Sequence, residues 1–226
     1  MRNFLRHVEL TEETTLKDMV YGEVKVSDSA KMHRPISNFP TFSDLQVMNV
    51  IDAPPANDSE ETYAEILELL DLAELASQQD KDDYLMFDDK VIGHYFDHCN
   101  RNNLRFDRDL VKSLYAQVTT ICLNYKYEYN RPRPVQVARS VGLSLRPAYS
   151  RTADSPAYPS GHACQSRFLS LFFSTIHPNH RTKFIELGER CAKSRLTAGL
   201  HYPSDSEAGK KLAEVLFARL DISDQL

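Results

Sequence analysis

The sequence lacks any long apolar run. In its 226 residues, no stretch approaches the ~18–20 apolar residues that a membrane-spanning helix requires. The strongest apolar run, Phe168 to Ile176, is interrupted by two serines and predicts a buried helix. Residues 1–10 carry two arginines, but no apolar segment or small-residue cleavage site follows, so no signal peptide is expected. These absences predict a soluble protein, cytoplasmic or otherwise, that does not act in a membrane.

An excess of basic residues is also absent. The chain has 27 Lys and Arg against 32 Asp and Glu, a formal net charge of -5. General nucleic-acid binding usually requires a basic surface, so nucleic acid is not expected as a partner. A local basic cluster in a mildly acidic chain is more typical of a site for a small anion. The sequence leaves self-association into a homo-oligomer open.

The cysteines form no CxxC pair. Cys99, Cys122, Cys164 and Cys191 all fall in segments predicted to be helical. Reduced, buried thiols are the expected state, although the even count leaves a disulfide open.

Strand signals are nearly absent, whereas apolar residues at helical spacing are frequent. The chain is therefore predicted to be all-α. Residues 1–50 are expected to form an irregular N-terminal arm, and residues 51–226 the domain. One helix is predicted to follow a capping box, with Asp58 as N-cap and Glu61 at the third helical position. Further helices are predicted over about 83–101, 107–127, 161–176, 181–199 and 203–220.

The central motif is Pro159-Ser160-Gly161-His162. Ser160 is placed to cap a helix that begins at Gly161, and the free N–H groups of such a helix end favour a bound anion. Gly161 allows close approach of the backbone, and the Ser160 hydroxyl offers another hydrogen bond. Taken alone, the motif is more typical of an ordinary helix start with an exposed histidine.

A basic motif precedes it. Lys126 lies near a helix end, and Arg133 follows within an Arg-Pro-Arg-Pro run. The flanking prolines restrict the backbone around Arg133, which suits bidentate binding of a phosphate. Arg131 is expected to face solvent or a carboxylate, with a place in the site left open. A solvated basic turn is the alternative interpretation.

A third motif supplies a reactive pair. Arg195 lies in a predicted helix, His201 follows its end, and Asp205 lies four residues further on. A carboxylate beside an imidazole fixes its tautomer and leaves the other nitrogen free to attack. The alternative is a helix-capping aspartate beside a loop histidine.

Two other chemistries are disfavoured. A metal would need further ligands beside His162 and His201, and the neighbouring cations oppose it, so no metal is expected. A serine hydrolase would use Ser160, but no GxSxG motif is present.

Together, Lys126-x6-Arg133-Pro134, Pro159-Ser160-Gly161-His162 and Ser194-Arg195-x5-His201-x3-Asp205 resemble the signature of the type 2 phosphatidic acid phosphatase (PAP2) and vanadium haloperoxidase superfamily. Within it, the chain looks most like the soluble class A non-specific acid phosphatases. The resemblance covers about residues 50–220. It implies a helical bundle and a metal-independent phosphomonoester hydrolase that acts on a small phosphorylated substrate without a cofactor.

The resemblance also implies roles for the residues. His201 would be the nucleophile that forms a phosphohistidine, Asp205 would orient it, and His162 would serve as acid and then base. The phosphate would be held by Lys126, Arg133, Ser160, Gly161 and Arg195. The chain departs from class A enzymes in having Ala163 and Cys164 after the central motif and in showing no export signal. Asp154 and Tyr158 are expected to line the substrate entrance.

Two alternative functions remain. One is a vanadate-dependent haloperoxidase, because vanadate mimics the phosphoryl transition state, although the chain is short for that class. The other is a non-catalytic phosphate-binding or structural module with the same fold.

Overall fold

The computed structural model describes residues 15–33 and 50–220. Within these ranges the chain is helical and contains no strand, which confirms the all-α class. None of the helices described there is both long and apolar enough to cross a membrane. The remaining parts of the predicted arm, 1–14 and 34–49, lie outside the described residues, as do 221–226. The α-helices are α1 (Val26–Met32), α2 (Glu60–Glu74), α3 (Gln78–Phe87), α4 (Val91–Arg101), α5 (Arg108–Tyr129), α6 (Pro134–Ser140), α7 (Gly161–Ile176), α8 (Arg181–Thr197) and α9 (Pro203–Ala218).

Helix α7 lies at the centre of the fold and packs against α4, α5, α8 and α9. Its Phe168, Leu169, Phe172 and Phe173 are all buried, which confirms the predicted buried helix. The Phe173 ring stacks on aromatic rings from α4 and α8. Because α7 begins at Gly161, this packing also fixes the position of the central motif.

The first helix of the domain starts one residue later than predicted. The N-cap of α2 is Ser59, whose hydroxyl accepts a hydrogen bond from the Thr62 N–H at 3.1 Å, so the assignment of Asp58 as the cap was wrong. A capping box does occur at the next helix, where Ser77 and Asp80 bond reciprocally at the start of α3. The sequence prediction placed the start of that helix about five residues too late.

The helix predicted over 83–101 is in fact two helices, α3 and α4, separated by residues 88–90. The break has a physical cause at Asp88. Its carbonyl oxygen accepts hydrogen bonds from Thr152 and from the His162 ring, and its carboxylate contacts Ser150, so tertiary partners replace helix continuation. The break therefore places Asp88 beside the central motif.

The start of α7 and the first half of α9 are in very close contact. A Cβ added at Gly209 would lie 2.5 Å from the Ser160 carbonyl oxygen and 3.1 Å from the Cys164 nitrogen. The Ser160 N–H in turn donates to the Asp205 carbonyl at 2.8 Å. The central and third motifs are thus joined backbone to backbone, and Gly209 provides the space for that contact.

Gly209→Ala is expected to destabilise the protein by about 1–3 kcal/mol, because the new methyl group meets backbone atoms that cannot rotate away. The matched control is Gly93→Ala in α4, where the added Cβ meets only Lys90 at 3.9 Å. That control should be neutral, or more stable by up to about 1 kcal/mol from helix propensity. Urea unfolding of both variants measures the difference, and equal stabilities would contradict the close contact.

Candidate active site

The three sequence motifs meet at one cavity of about 200 Å³. Six of the eight predicted site residues form part of its wall: Lys126, Arg133, Gly161, His162, Arg195 and His201. The other two, Ser160 and Asp205, are fully buried and do not reach the wall. The folded chain therefore brings the predicted phosphate-binding and reactive residues into one place.

The basic motif is held by backbone carbonyls. The Lys126 ammonium donates to the carbonyls of Pro156 at 2.6 Å and Ala157 at 3.2 Å. Arg133 donates from Nε to the Ser155 carbonyl and from Nη1 to the Leu200 carbonyl, both at 2.8 Å. Arg133 is also the N-cap of α6, which begins at Pro134. These contacts restrict both cations, and neither is paired with a carboxylate of residues 15–33 or 50–220.

Burial and mutual repulsion perturb these cations. Burial, together with the neighbouring Arg133, lowers the pKa of Lys126 to about 7. Burial also lowers the pKa of Arg133 to about 10. Both lowered pKa values reflect the free-energy cost of burying positive charges close together. A bound anion would offset that cost.

His201 and Asp205 form the predicted pair. His201 Nδ1 lies 3.2 Å from Asp205 Oδ2, which also accepts the Tyr202 N–H at 2.9 Å. On the other side of the ring, Arg133 Nη1 lies 3.1 Å from Nε2. Because a guanidinium only donates, Nε2 must accept and the proton must reside on Nδ1. The neutral imidazole therefore presents a lone pair at the cavity.

The charge around His201 favours this neutral form. Burial is the main cause that lowers its pKa well below the ordinary histidine value, followed by repulsion from Arg133 and Lys126. A neutral imidazole is the form required of a nitrogen nucleophile.

The central motif begins α7 as predicted. Ser160 is the N-cap, and its hydroxyl accepts a hydrogen bond from the Ala163 N–H at 3.4 Å. His162, in the first turn, has Nε2 3.0 Å from the Asp88 carbonyl. Since a carbonyl only accepts, Nε2 donates and Nδ1 keeps the free lone pair of the neutral ring. Burial and the nearby Arg195 lower the pKa of His162 to about 3.

Arg195 is oriented by a carboxylate that the sequence did not single out. Its Nη1 donates to Asp88 Oδ1 at 2.9 Å, and its Nη2 donates to Ser150 Oγ at 3.0 Å. Burial opposes ionisation of Asp88, but hydrogen bonds from Ser150, the Arg151 N–H and Arg195 lower its pKa overall. Within the described residues, the buried Nε of Arg195 has no hydrogen-bond partner. Arg195 also lines the cavity.

Arg131 faces carboxylates, which was one of the two orientations expected of it. Its side chain is 1% exposed and contacts both Asp205 and Glu65. Glu65 was not identified from the sequence, where nothing distinguishes it from the other acidic residues of α2.

The cavity rim agrees with one of the two entrance predictions. Asp154 lines the cavity, whereas Tyr158 does not. The Tyr158 hydroxyl instead donates to the Asp52 carbonyl, and its ring is buried in the core. The N-terminal arm also contributes, because Asp28 and Lys31 of α1 form part of the wall. No sequence signal connected α1 with the site.

The four cysteines are free and buried, as expected. Cys122 lies on the cavity wall, with its thiol 3.9 Å from the Pro159 carbonyl.

Comparisons with known proteins concern the part of the chain that carries this site. Residues 110–220 match the model of the PAP2 superfamily, a region that contains all three motifs. A non-specific acid phosphatase of Salmonella typhimurium (strain LT2) is 36% identical over 96 residues, which are 42% of this chain and 38% of that protein. A non-specific acid phosphatase of Salmonella typhi is 38% identical over 64 residues, which are 28% of this chain and 26% of that protein. The matched segments thus span well under half the length of these curated relatives.

A solved structure supports the fold. The crystal structure described as the first bacterial vanadium-dependent iodoperoxidase superposes with a TM-score of 0.61 at 19% sequence identity. The superposition covers 80% of this chain and 53% of that one. At this identity, the similarity concerns the helical architecture alone. The motifs, the family match and the shared helical fold agree, and they identify residues 110–220 as a PAP2 superfamily region, with similarity to non-specific acid phosphatases.

Proposed function

We propose that this chain hydrolyses phosphate monoesters without a metal ion, through a phosphohistidine formed on His201. The observation that carries the proposal is the neutral His201 imidazole, held between Asp205 and Arg133 at the wall of a cationic cavity. Three cations suit a phosphoryl group better than an ester carbonyl, because they stabilise charge on its equatorial oxygens. The expected substrate is a small phosphorylated molecule.

In the first step, His201 Nε2 attacks phosphorus and the bond to the leaving oxygen breaks. The Nδ1–H that faces Asp205 Oδ2 becomes part of an imidazolium, and the carboxylate stabilises this positive charge. Arg133 Nη1 donates to Nε2 in the free site, so it must turn to a phosphate oxygen as the bond forms.

His162 supplies the proton for the leaving alcohol. Its Nε2 is committed to the Asp88 carbonyl, so Nδ1 is the nitrogen available to the substrate. In the free site its pKa is about 3, which disfavours the acid form. The negative charge of a bound phosphate would raise that pKa and so couple protonation of His162 to substrate binding.

In the second step, His162 has lost its proton and accepts one from water. The resulting hydroxide attacks phosphorus, the bond to His201 breaks, and inorganic phosphate is released. Lys126, Arg133 and Arg195 stabilise the charge in both steps, together with N–H groups at the start of α7. Ser160 contributes by capping that helix.

Assays with p-nitrophenyl phosphate test the proposal. Hydrolysis is expected to continue in EDTA, because protein cations bind the phosphoryl oxygens, and to be inhibited by vanadate, which mimics the transition state. Peroxide-dependent halide oxidation, assayed with added vanadate, is expected to be absent. Halide oxidation activated by vanadate would instead favour a haloperoxidase, and an EDTA-sensitive rate restored by a divalent ion would contradict metal independence. No turnover of any phosphate ester would favour a non-catalytic module.

A further inference from the structure

A buried line of ionic groups leads away from the candidate nucleophile. Beyond Asp205, the Arg131 guanidinium donates from Nη1 to Asp205 Oδ1 at 2.8 Å. Its Nη2 donates to Glu65 Oε2 at 3.1 Å. The guanidinium also lies over the Tyr202 ring, 3.8 Å from the ring centroid. A continuous chain of contacts therefore leads from the neutral His201 ring through Asp205, Arg131 and Glu65, and the last three alternate in charge.

Glu65 binds both the arginine and the helix that carries Asp205. Its second oxygen, Oε1, accepts the N–H of Ser204 in the first turn of α9 at 2.6 Å. Arg131 Nη1 also donates to the Ser204 hydroxyl at 2.8 Å. Glu65 lies on α2, outside residues 110–220 that match the family model. The family match therefore assigns it no role.

A buried ionic network is weak evidence for stability, because the cost of removing charges from water offsets their attraction. Its placement beside the reacting histidine indicates a different purpose. Arg131 alone would neutralise Asp205 and weaken its support of a positive imidazole. Glu65 neutralises Arg131, so the three groups together keep one net negative charge next to His201.

We propose that Glu65 is a positioning residue for the reaction at His201: through Arg131 it orients Asp205 and preserves the negative charge that stabilises the phosphorylated imidazolium. This inference rests on the proposed phosphohistidine mechanism. The role is indirect, since Glu65 contacts neither the cavity nor His201.

The sign of the effect follows from the charges around His201. The facing titratable and charged groups are Asp205, Arg133, Lys126, Arg195 and His162. All except Asp205 oppose protonation of the ring. Without the charge of Glu65, Asp205 and Arg131 neutralise each other and no net negative charge remains beside His201. The pKa of His201 is therefore lowered further. The loss of this negative charge also weakens the support of the imidazolium that forms during catalysis.

The test is Glu65→Gln, which keeps the size of the side chain and removes its charge. In a kcat/KM profile against pH, the acidic limb should move to lower pH by roughly half to one unit. Plateau kcat should fall up to about tenfold with KM little changed, because one pKa unit corresponds to a tenfold change. The control is Glu68→Gln, an exposed glutamate on the same helix, which should leave both parameters unchanged. An unmoved limb in folded Glu65→Gln would overturn the inference.

Glu65→Asp provides a graded second test, and replaces Glu65→Gln if that variant does not fold. Its charge lies farther from Arg131, so the limb should move in the same direction by a smaller amount. A lowered Tm with an unmoved limb would make Glu65 purely structural and refute the positioning role. A failure of the proposed phosphohistidine mechanism itself would look different. In that case His201→Ala would retain activity, whatever the Glu65 variants do.

Discussion

Replacing His201 with alanine is expected to lower kcat for phosphate monoesters by about 10⁴-fold or more, the size of effect seen when a catalytic nucleophile is removed. The reason is that His201 Nε2 presents its lone pair at the cavity, with the tautomer and orientation of the ring set by Asp205 on one side and Arg133 on the other. Steady-state assays on purified His201→Ala measure the effect.

A matched control separates loss of chemistry from loss of folding. His98→Ala removes another partly buried histidine, one that lies outside the cavity wall and contacts His180. This control should retain near wild-type kcat. A His201→Ala variant that keeps its Tm and loses less than about tenfold in kcat would be incompatible with a nucleophilic His201.

Replacing His162 with alanine is expected to have an effect that depends on the leaving group. For an alkyl phosphate such as glycerol phosphate, the leaving alkoxide needs a proton, and kcat should fall by about 10²–10⁴-fold. For p-nitrophenyl phosphate the leaving phenolate needs no proton, so formation of the phosphohistidine should be much less affected. His162 Nδ1, free of the Asp88 contact, is the group that would deliver the proton.

A pre-steady-state experiment shows which step is lost. With p-nitrophenyl phosphate, His162→Ala should release a burst of nitrophenol equal to the enzyme concentration, followed by slow turnover, since the base for the second step is missing. Equal losses for alkyl and aryl substrates, without a burst, would show that His162 does not act as the acid.

Some helices were predictable because their determinants are local. The start of α7 follows from the Ser160 cap, and Pro178 marks its end, so Gly161–Ile176 was predicted to the residue. The boundary between α3 and α4 was missed for an opposite reason. Phe87, Val91, Tyr95 and Cys99 keep four-residue spacing across the break, and all are buried in the same core. The partners that cause the break lie some sixty residues or more away along the chain, where no local pattern could indicate them.

The site residues show the same contrast between local sequence signals and long-range contacts. The three motifs were visible because each joins unusual residue types at short, fixed spacing, and they do meet at one cavity. Asp88 and Glu65 were not visible, because the chain has 32 acidic residues and burial against an arginine leaves no local signal. The contribution of α1 to the cavity wall likewise depends on a long-range contact between α1 and α5.

The central claim, that His201 is phosphorylated during turnover, is tested most directly by trapping the intermediate. Wild-type protein and His162→Ala would be mixed with labelled substrate, quenched in alkali within milliseconds, and digested for mass spectrometry. We predict an acid-labile phosphoryl group on the peptide that contains His201, accumulating most in His162→Ala and absent from His201→Ala. A phosphoryl group on Ser160, or turnover with inversion of configuration at phosphorus and no labelled protein, would contradict the account.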